Sequence, residues 1–249
     1  MIPSPFLADL AVDDERYPLK ERVYLVLASI FVVTLVLTNI IGIKLFRAPF
    51  NPEFALTTGI LTYPVTFVVT DVVSEVYGKR RADFMVVLGF GMSLVLLAVV
   101  QLAVFVDPHP FWVSGTEPLY PEVEGYQYAF ESVFSLNGVL VFGSMLAYLS
   151  AQLTDNFLFH FWKRVTKGRH LWLRNNGSTV FSQLVDTAVV NSILFYLGFG
   201  LDFWVGVQIM VTIYVYKIAI AVLDTPLVYL GVFLVKRSLG YGFDEEVGP

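Results

Sequence analysis

Six long apolar stretches separated by short charged segments constrain this 249-residue chain more than any other feature. They lie at about residues 22–46, 56–77, 83–106, 134–162, 174–199 and 203–235. About 20 apolar residues are enough to cross a bilayer as a helix. In lipid such a stretch must be helical, because no water is present to satisfy a bare backbone. The pattern therefore predicts an all-α fold, a polytopic membrane helix bundle with six transmembrane helices.

The composition also indicates a membrane protein. Charged residues make up only 15% of the chain, against about 25% in soluble domains. Cysteine is absent, which excludes disulfides, thiolate metal sites and a cysteine nucleophile. We interpret residues 1–21 as a polar cytoplasmic segment, because an acidic stretch stands where a signal peptide would be basic. Residues 22–238 would then form the six-helix transmembrane domain, and 239–249 a short cytoplasmic tail.

Lysine and arginine residues fall on one side of the predicted bundle. They are Arg16, Lys20, Arg22, Lys79, Arg80, Arg81, Lys163, Arg164, Lys167, Arg169, Lys236 and Arg237. The alternate loops contain only Arg47. Because positively charged loops stay in the cytoplasm, we expect a multi-pass protein of the cell membrane with both termini cytoplasmic. The outer segment 107–132 has no cation, and we interpret it as an ordered cap, with a substrate lid as the alternative.

Polar side chains lie inside the apolar stretches, where a central charge costs ~2.5–3.5 kcal/mol and usually faces a cavity or a partner. They are Asn39, Lys44, Asp71, Glu75, Gln152, Asp155, Gln183, Asp186, Asn191, Lys217 and Asp224. In the fourth, fifth and sixth stretches the polar residues recur every three or four positions, which places them on one helix face. The spacing therefore predicts a polar cavity between helices.

The deep carboxylates outnumber the deep cations. Asp71, Asp155, Asp186 and Asp224 lie well inside their stretches, with Lys217 as the main cation. Some carboxylates must therefore be protonated, or be neutralised by a substrate that supplies hydrogen-bond donors.

Glu75 is explained more simply as the partner of Lys79 or Arg80, which follow it within about one helical turn.

Prolines at 64 and 226 predict interruptions of two carboxylate-bearing helices, either at a transport site or as ordinary kinks. The four-residue segments QLTD (152–155) and QLVD (183–186) are nearly identical and lie in neighbouring apolar stretches. If these helices are antiparallel, the two Gln/Asp pairs can face each other.

Motifs for other functions are missing. There is no GxxxxGK[ST] loop, no HExxH and no GxSxG. The three histidines are scattered and the cations form no nucleic-acid surface. We therefore expect no cofactor, no metal and no nucleic-acid partner, and we interpret the chain as not an enzyme.

Five blocks of sequence resemble the queuosine precursor transporters, a six-span, vitamin-uptake-type family. They are TNIIGIKLF (38–46), LTYPVTFVVTDVVSEVYGKRRA (61–82), LSAQLTDNFLFHFWK (149–163), LWLRNNGSTVFSQLVDT (171–187) and YKIAIAVLDTPLVYLGV (216–232). The resemblance covers about residues 22–238 and implies uptake of a 7-deazaguanine, in the nitrile or the aminomethyl form.

The resemblance also implies a set of site residues. The expected substrate-binding residues are Gln152, Asp155, Ser182, Gln183, Asp186, Asn175, Asn176, Arg174, Tyr148 and Tyr214. The expected coupling and charge-balance residues are Asp71, Glu75, Lys217 and Asp224. Asp186 or Asp155 would bind the donor edge of the base and Tyr148 or Tyr214 would stack on it, while Lys217 would pair with Asp224. Alternatively, residues 174–176 only position the start of their helix.

Other functions stay open from the sequence. The main alternative is a substrate-binding subunit of an ATP-driven vitamin or nucleobase uptake system, which would need a separate energising module. An intramembrane enzyme or a structural membrane protein fits less well. The expected partners are a deazapurine base and membrane lipid. The sequence leaves open which precursor is carried, whether a proton accompanies it, and whether the protein forms an oligomer.

Overall fold

The computed structural model describes residues 17–42, 44–47, 55–114, 119, 122–134, 138–193, 196, 200, 202–243 and 245. Within these residues it contains seven α-helices. They are α1 (Tyr17–Ile41), α2 (Tyr63–Tyr77), α3 (Lys79–Phe105), α4 (Val123–Phe134), α5 (Gly138–Val165), α6 (Leu171–Ser192) and α7 (Phe203–Ser238). Two 3-10 turns lie at Thr58–Leu61 and Pro110–Val113. The predicted all-α class is confirmed.

The first helix ends before its apolar stretch does. The strands Leu45–Arg47 (β1) and Ala55–Thr57 (β2) pair as a short antiparallel hairpin directly after α1. The chain turns at Gly42, where a Cβ would lie 2.7 Å from the carbonyl oxygen of Thr38. The predicted boundary at residue 46 is therefore wrong. At the other end α1 already begins at Tyr17, and residues 1–16 of the predicted polar segment lie outside the described residues.

A single glycine joins α2 to α3. Gly78 has φ 81° and ψ 172°, a conformation that is almost restricted to glycine. The cations of 79–81 therefore lie in the first turn of α3 rather than in a loop. Pro64 is also placed differently from the prediction, because it lies at the first turn of α2, where proline is well tolerated. Of the two prolines predicted to interrupt helices, Pro226 is the one that lies in a helix interior, in α7.

The outer segment contains helix α4, which packs beside the end of α3. Trp112 contacts the rings of Tyr126 and Phe130, with centroid distances of 4.8 and 5.4 Å. The Gln127 side chain donates a hydrogen bond to the Val104 carbonyl, at 3.3 Å. These contacts agree with an ordered cap, of which residues 115–118, 120 and 121 lie outside the described part.

Helix packing divides the bundle into two connected groups. Helices α5 and α6 pack most extensively, and α7 packs on both α6 and α2. Helices α1 and α3 cover the other side of α2. Close approach relies on small residues: a Cβ on Gly89 would lie 2.7 Å from Phe31, and one on Gly231 would lie 2.7 Å from Val72. Helix α2 is thus largely enclosed by its neighbours, apart from exposed residues near its start such as Val65.

Three of the helices are long and apolar enough to cross a membrane by length and composition. They are Leu19–Ile41, Lys79–Phe105 and Phe203–Ser238, found within the described residues. Helix α2 has 15 residues and measures about 22 Å, less than the ~30 Å of a bilayer core. Helices α5 and α6 carry most of the polar side chains. The long apolar helices are thus those of a membrane protein, and the two most polar helices of the bundle, α5 and α6, pack against each other.

Candidate functional site

Polar side chains from α2, α5 and α6 meet in the interior of the bundle. Asp71 is 1% exposed, and Gln152, Asp155, Ser182 and Gln183 are fully buried. Gln152 and Asp155 are three residues apart and therefore share one face of α5, while Ser182 and Gln183 are adjacent on α6. The structure therefore buries together some of the deep polar residues of the predicted set, among them Asp71, Asp155 and Ser182.

Asp155 is the centre of this cluster. Its Oδ1 accepts a hydrogen bond of 2.8 Å from the Ser182 hydroxyl, across the α5–α6 contact. The Asp71 carboxyl group is a near neighbour of Asp155, and neither of its oxygens has a hydrogen-bond partner within the described residues. The second oxygen of Asp155 has no hydrogen-bond partner within the described residues. One carboxylate oxygen is thus fixed by the protein while the other stays available.

Two glutamines extend the cluster on either side. Both amide atoms of Gln152 and both of Gln183 are buried and find no hydrogen-bond partner in the described part of the chain. They are the first residues of the QLTD and QLVD segments, which the antiparallel packing of α5 on α6 brings together. Leaving a buried polar group unsatisfied costs about 1–3 kcal/mol. Such groups are typical of a site that awaits a ligand.

The ion-pair partner of Lys217 differs from the predicted one. Lys217 Nζ on α7 bonds to Asp186 Oδ2 on α6, so the predicted Lys217–Asp224 pair is wrong. Lys217 and Asp224 are two turns apart on one helix, about 10 Å of rise, whereas the packing of α7 on α6 brings Asp186 alongside. The same ammonium lies 5.5 Å from the ring centroid of Tyr63.

Glu75 and Arg174 form a second cluster toward the cation-rich end. Arg174 Nη2 lies 2.9 Å from Glu75 Oε2, and Lys163 Nζ lies 3.2 Å from the same oxygen. The predicted pairing of Glu75 with Lys79 or Arg80 is therefore wrong, because its side chain turns inward to α5 and α6. Arg174 also donates to the carbonyl oxygens of Gly168 (2.6 Å) and Arg169 (3.2 Å).

The two asparagines after Arg174 tie α6 to α7. The Asn176 amide donates to the Thr225 hydroxyl at 2.8 Å, and the Asn175 amide does so at 3.3 Å. Together with the Arg174 contacts, this arrangement fits the alternative in which residues 174–176 position their helix. Tyr214 is also engaged, because its hydroxyl donates to the Val180 carbonyl at 2.9 Å.

A small cavity lies beside the carboxylate cluster. Asp71, Asn175, Thr179 and Asp224 contribute its polar lining. The space left for water in it is about 10 Å³, enough for about one water molecule. The site is therefore closed to anything larger. Within the described residues, no three histidine or carboxylate side chains are grouped so that they could hold a metal ion.

Sequence reasoning missed one residue of this site. Tyr63 lines the cavity, its ring lies 4.5 Å from that of Phe67, and its buried hydroxyl has no hydrogen-bond partner in the described residues. The signal was the segment TYP at the start of the second block, where the proline marks a helix start and places the tyrosine at the first residue of α2.

The residues of this site lie within the part of the chain that matches a known family. The family model described as "Putative vitamin uptake transporter" matches residues 57–231, well over half of the chain. A curated protein of Bacillus subtilis (strain 168), "Probable queuosine precursor transporter", is 32% identical over 174 residues, which cover 70% of this chain and 70% of that protein. No solved structure matches the chain. The predicted resemblance is confirmed, and so is the prediction of a transporter rather than an enzyme.

Proposed function

The chain belongs to the vitamin uptake transporter family, and on that premise we propose that it imports a queuosine precursor across the cell membrane. The substrate class is a 7-deazaguanine, in the nitrile or the aminomethyl form. The similarity to a protein named as a queuosine precursor transporter supports this class. The interior of the bundle supplies the groups that such a base requires.

The observation that carries the proposal is the set of buried hydrogen-bonding groups without partners. Asp71, Gln152 and Gln183 each have both side-chain polar atoms in this condition within the described residues, and Asp155 has one. A protein that only needed stability would replace such groups by apolar ones, which is often neutral or favourable. A flat, polar base would satisfy several of them at once.

The chemistry of a deazaguanine assigns roles to these groups. Its N1–H and exocyclic amine lie side by side, and a carboxylate can accept both in a paired geometry. Asp155 is better placed for this than Asp186, because Lys217 already binds Asp186. Gln152 and Gln183 would serve the carbonyl edge, since an amide can donate and accept. Tyr148 and Tyr63 are the rings that could stack on the base.

Asp71 is the proposed coupling group. Its carboxyl group lies against Asp155, and two neighbouring carboxylates are not easily both ionised. A proton on Asp71 would relieve the repulsion and let Asp155 stay ionised for the base. Transport would then be coupled to proton entry, with Asp71 carrying the proton.

Access to the site requires helices to separate. A cavity with about 10 Å³ for water cannot hold a two-ring base. The structure therefore corresponds to a closed state in this proposal, with the base entering when α2 and α7 move relative to α6. The proposed topology has six spans formed by α1, α2, α3, α5, α6 and α7, with the cation-rich ends in the cytoplasm.

Uptake by the purified protein tests the function. The chain is reconstituted alone in vesicles with an inward proton gradient, and entry of each labelled deazaguanine is measured. We expect uptake by the intact chain and a loss of about thirtyfold or more in Asp155→Asn, because a charge-assisted pair contributes about 2–3 kcal/mol. Asp107→Asn is the matched control, since Asp107 is exposed and lies outside the bundle interior.

Three outcomes separate the alternatives. Uptake driven by the gradient but lost in Asp155→Asn alone supports the transporter and its site. Tight binding of the base without any uptake favours the subunit that needs an ATP-driven module. Neither binding nor uptake of either base by correctly inserted protein contradicts the proposed substrate class.

A further inference from the structure

A basic groove lies at the cation-rich end of the bundle, apart from the polar interior. It has a volume of about 530 Å³ and is lined by Lys79 at the start of α3 and by Lys163, Arg164 and Lys167 at the end of α5. We propose that this groove binds a phosphate-bearing anion, the chemistry shared by an anionic phospholipid headgroup and a soluble phosphate.

The first argument is uncompensated charge. Arg164 and Lys167 are exposed, and no ion pair is found for either among the described residues. Each can therefore turn to a ligand without breaking an existing contact. Arg and Lys are also the side chains that bind phosphate oxygens in proteins.

The other cations of the groove are only partly neutralised. Lys79 pairs with Asp83, while Lys163 shares the carboxylate of Glu75 with Arg174. Lys79, Lys163 and Arg174 thus share two carboxylates, those of Asp83 and Glu75. With the two unpaired cations above, the groove and its immediate neighbours carry a net excess of three positive charges.

The groove lies at the C-terminal end of α5, where a helix end disfavours an anion, but the last carbonyl oxygens, of Trp162, Lys163 and Arg164, already accept backbone hydrogen bonds. Lys167 and Gly168 take left-handed conformations, with φ of 51° and 77°, and close the turn after α5. The carbonyl oxygens of Gly168 and Arg169 accept hydrogen bonds from the buried Arg174 side chain. The carbonyl oxygens of Gly168 and Arg169 are therefore already bound by the protein on the inner side of the turn.

One wall of the groove is apolar. Phe157 lines it and is 52% exposed, two helical turns before Arg164 on α5. His160 lies between them on the same wall. A cationic mouth next to an apolar wall at a membrane interface matches the two ends of a phospholipid. A soluble phosphate would use the mouth alone.

Native mass spectrometry of the full-length protein tests the groove. The protein is purified in detergent with phosphatidylglycerol or with phosphatidylcholine, and the lipid retained per chain is measured. In parallel, inorganic phosphate is added and the thermal unfolding midpoint is followed. The test variant combines Arg164→Gln with Lys167→Asn, because asparagine tolerates the left-handed backbone at 167.

Two further variants make the result interpretable. Arg22→Gln with Arg237→Gln removes the same charge from exposed positions outside the groove. Arg164→Lys with Lys167→Arg keeps the charge and should keep retention. We expect one phosphatidylglycerol per chain for the intact protein and about thirtyfold weaker retention in the neutral groove variant only.

Each outcome decides a point. Selective loss of phosphatidylglycerol from the groove variant, with no effect of inorganic phosphate, supports the site and identifies its ligand as a membrane lipid. Stabilisation of the intact protein by inorganic phosphate, lost in the groove variant, supports the site with a soluble ligand. Equal retention in the groove variant and the Arg22/Arg237 control, with no phosphate effect, overturns the proposal.

Discussion

Two clusters of buried charge lie within α2, α5 and α6, about one helical turn apart along α2, and they are built in opposite ways. Around Glu75, both Arg174 and Lys163 reach the carboxylate, and Arg174 makes further hydrogen bonds to the backbone. Around Asp71 and Asp155, the polar groups outnumber their partners in the described residues. The charge of the first cluster is neutralised by the protein itself, although Arg174 Nε is also buried without a hydrogen-bond partner in the described residues. The second would be satisfied only by something that the protein binds.

This difference indicates that the two clusters have different roles. A satisfied ion cluster fixes helices relative to one another, although its net contribution to stability is small compared with an apolar replacement. An unsatisfied cluster costs stability and is retained where a ligand offsets that cost. Substitutions in the two clusters should therefore have opposite consequences for stability and for binding.

The largest effect on stability should come from Arg174→Ala. Arg174 is 2% exposed and pairs with a nearly buried carboxylate, so its removal leaves Glu75 poorly compensated and costs about 3–5 kcal/mol. The measurement is the unfolding midpoint in detergent, with Arg169→Ala as the control because that side chain is exposed. An Arg174→Ala protein as stable as the control would show that the cluster does not hold these helices.

A smaller effect is expected for Lys217→Met. The pair with Asp186 is partly exposed, at 17% and 13%, so loss of the cation should cost about 1–3 kcal/mol. The double variant Lys217→Met with Asp186→Asn should recover most of that stability, because no unpaired charge is left. If the double variant is as unstable as the sum of the two single variants, the two side chains are not coupled.

The smallest effect on stability is expected for Gln183→Leu, within about 0.5 kcal/mol of the intact protein or slightly stabilising. Both amide atoms of Gln183 are buried without partners in the described residues, so replacing them by methyl groups removes a cost. Binding of the deazaguanine should nevertheless weaken by about tenfold. Calorimetry and thermal unfolding on the same preparation measure both quantities. A strong loss of stability with unchanged binding would reverse the assignment of the two clusters.

The amino-acid sequence was sufficient to predict which residues gather in the interior. Helical periodicity fixes the face of each side chain, and so Gln152 and Asp155 could be placed on one face from their spacing, whereas Gln183 was added by the QLTD and QLVD match and by the family resemblance. Ion-pair partners could not be predicted in the same way. They depend on the rotation and axial shift of one helix against another, which is why Glu75 pairs with Arg174 rather than with a neighbour in sequence.

Helix boundaries show the same limit. An apolar stretch does not reveal where a helix begins. Because the apolar stretch starts at about residue 56, Pro64 was predicted to interrupt a longer helix two turns before Asp71. In the structure Pro64 lies at the first turn of α2, which is the position where proline costs least. The different start of α2 also explains why Tyr63 was missed. The position of a tyrosine at a helix start depends on the turn that precedes the helix, and the apolar pattern does not reveal that turn.

The single-residue junction at Gly78 has a mechanical consequence. Two helices joined by a flexible loop can slide past each other, but α2 and α3 meet at one residue whose backbone conformation is almost restricted to glycine. Any shift of the end of α2 that opens the interior must therefore carry the start of α3 with it, because one residue leaves no slack between the two helices, even though glycine lets the angle between them change. Since α3 is one of the helices long and apolar enough to cross the bilayer, the stiffness and thickness of the surrounding membrane would set the resistance that each transport cycle works against.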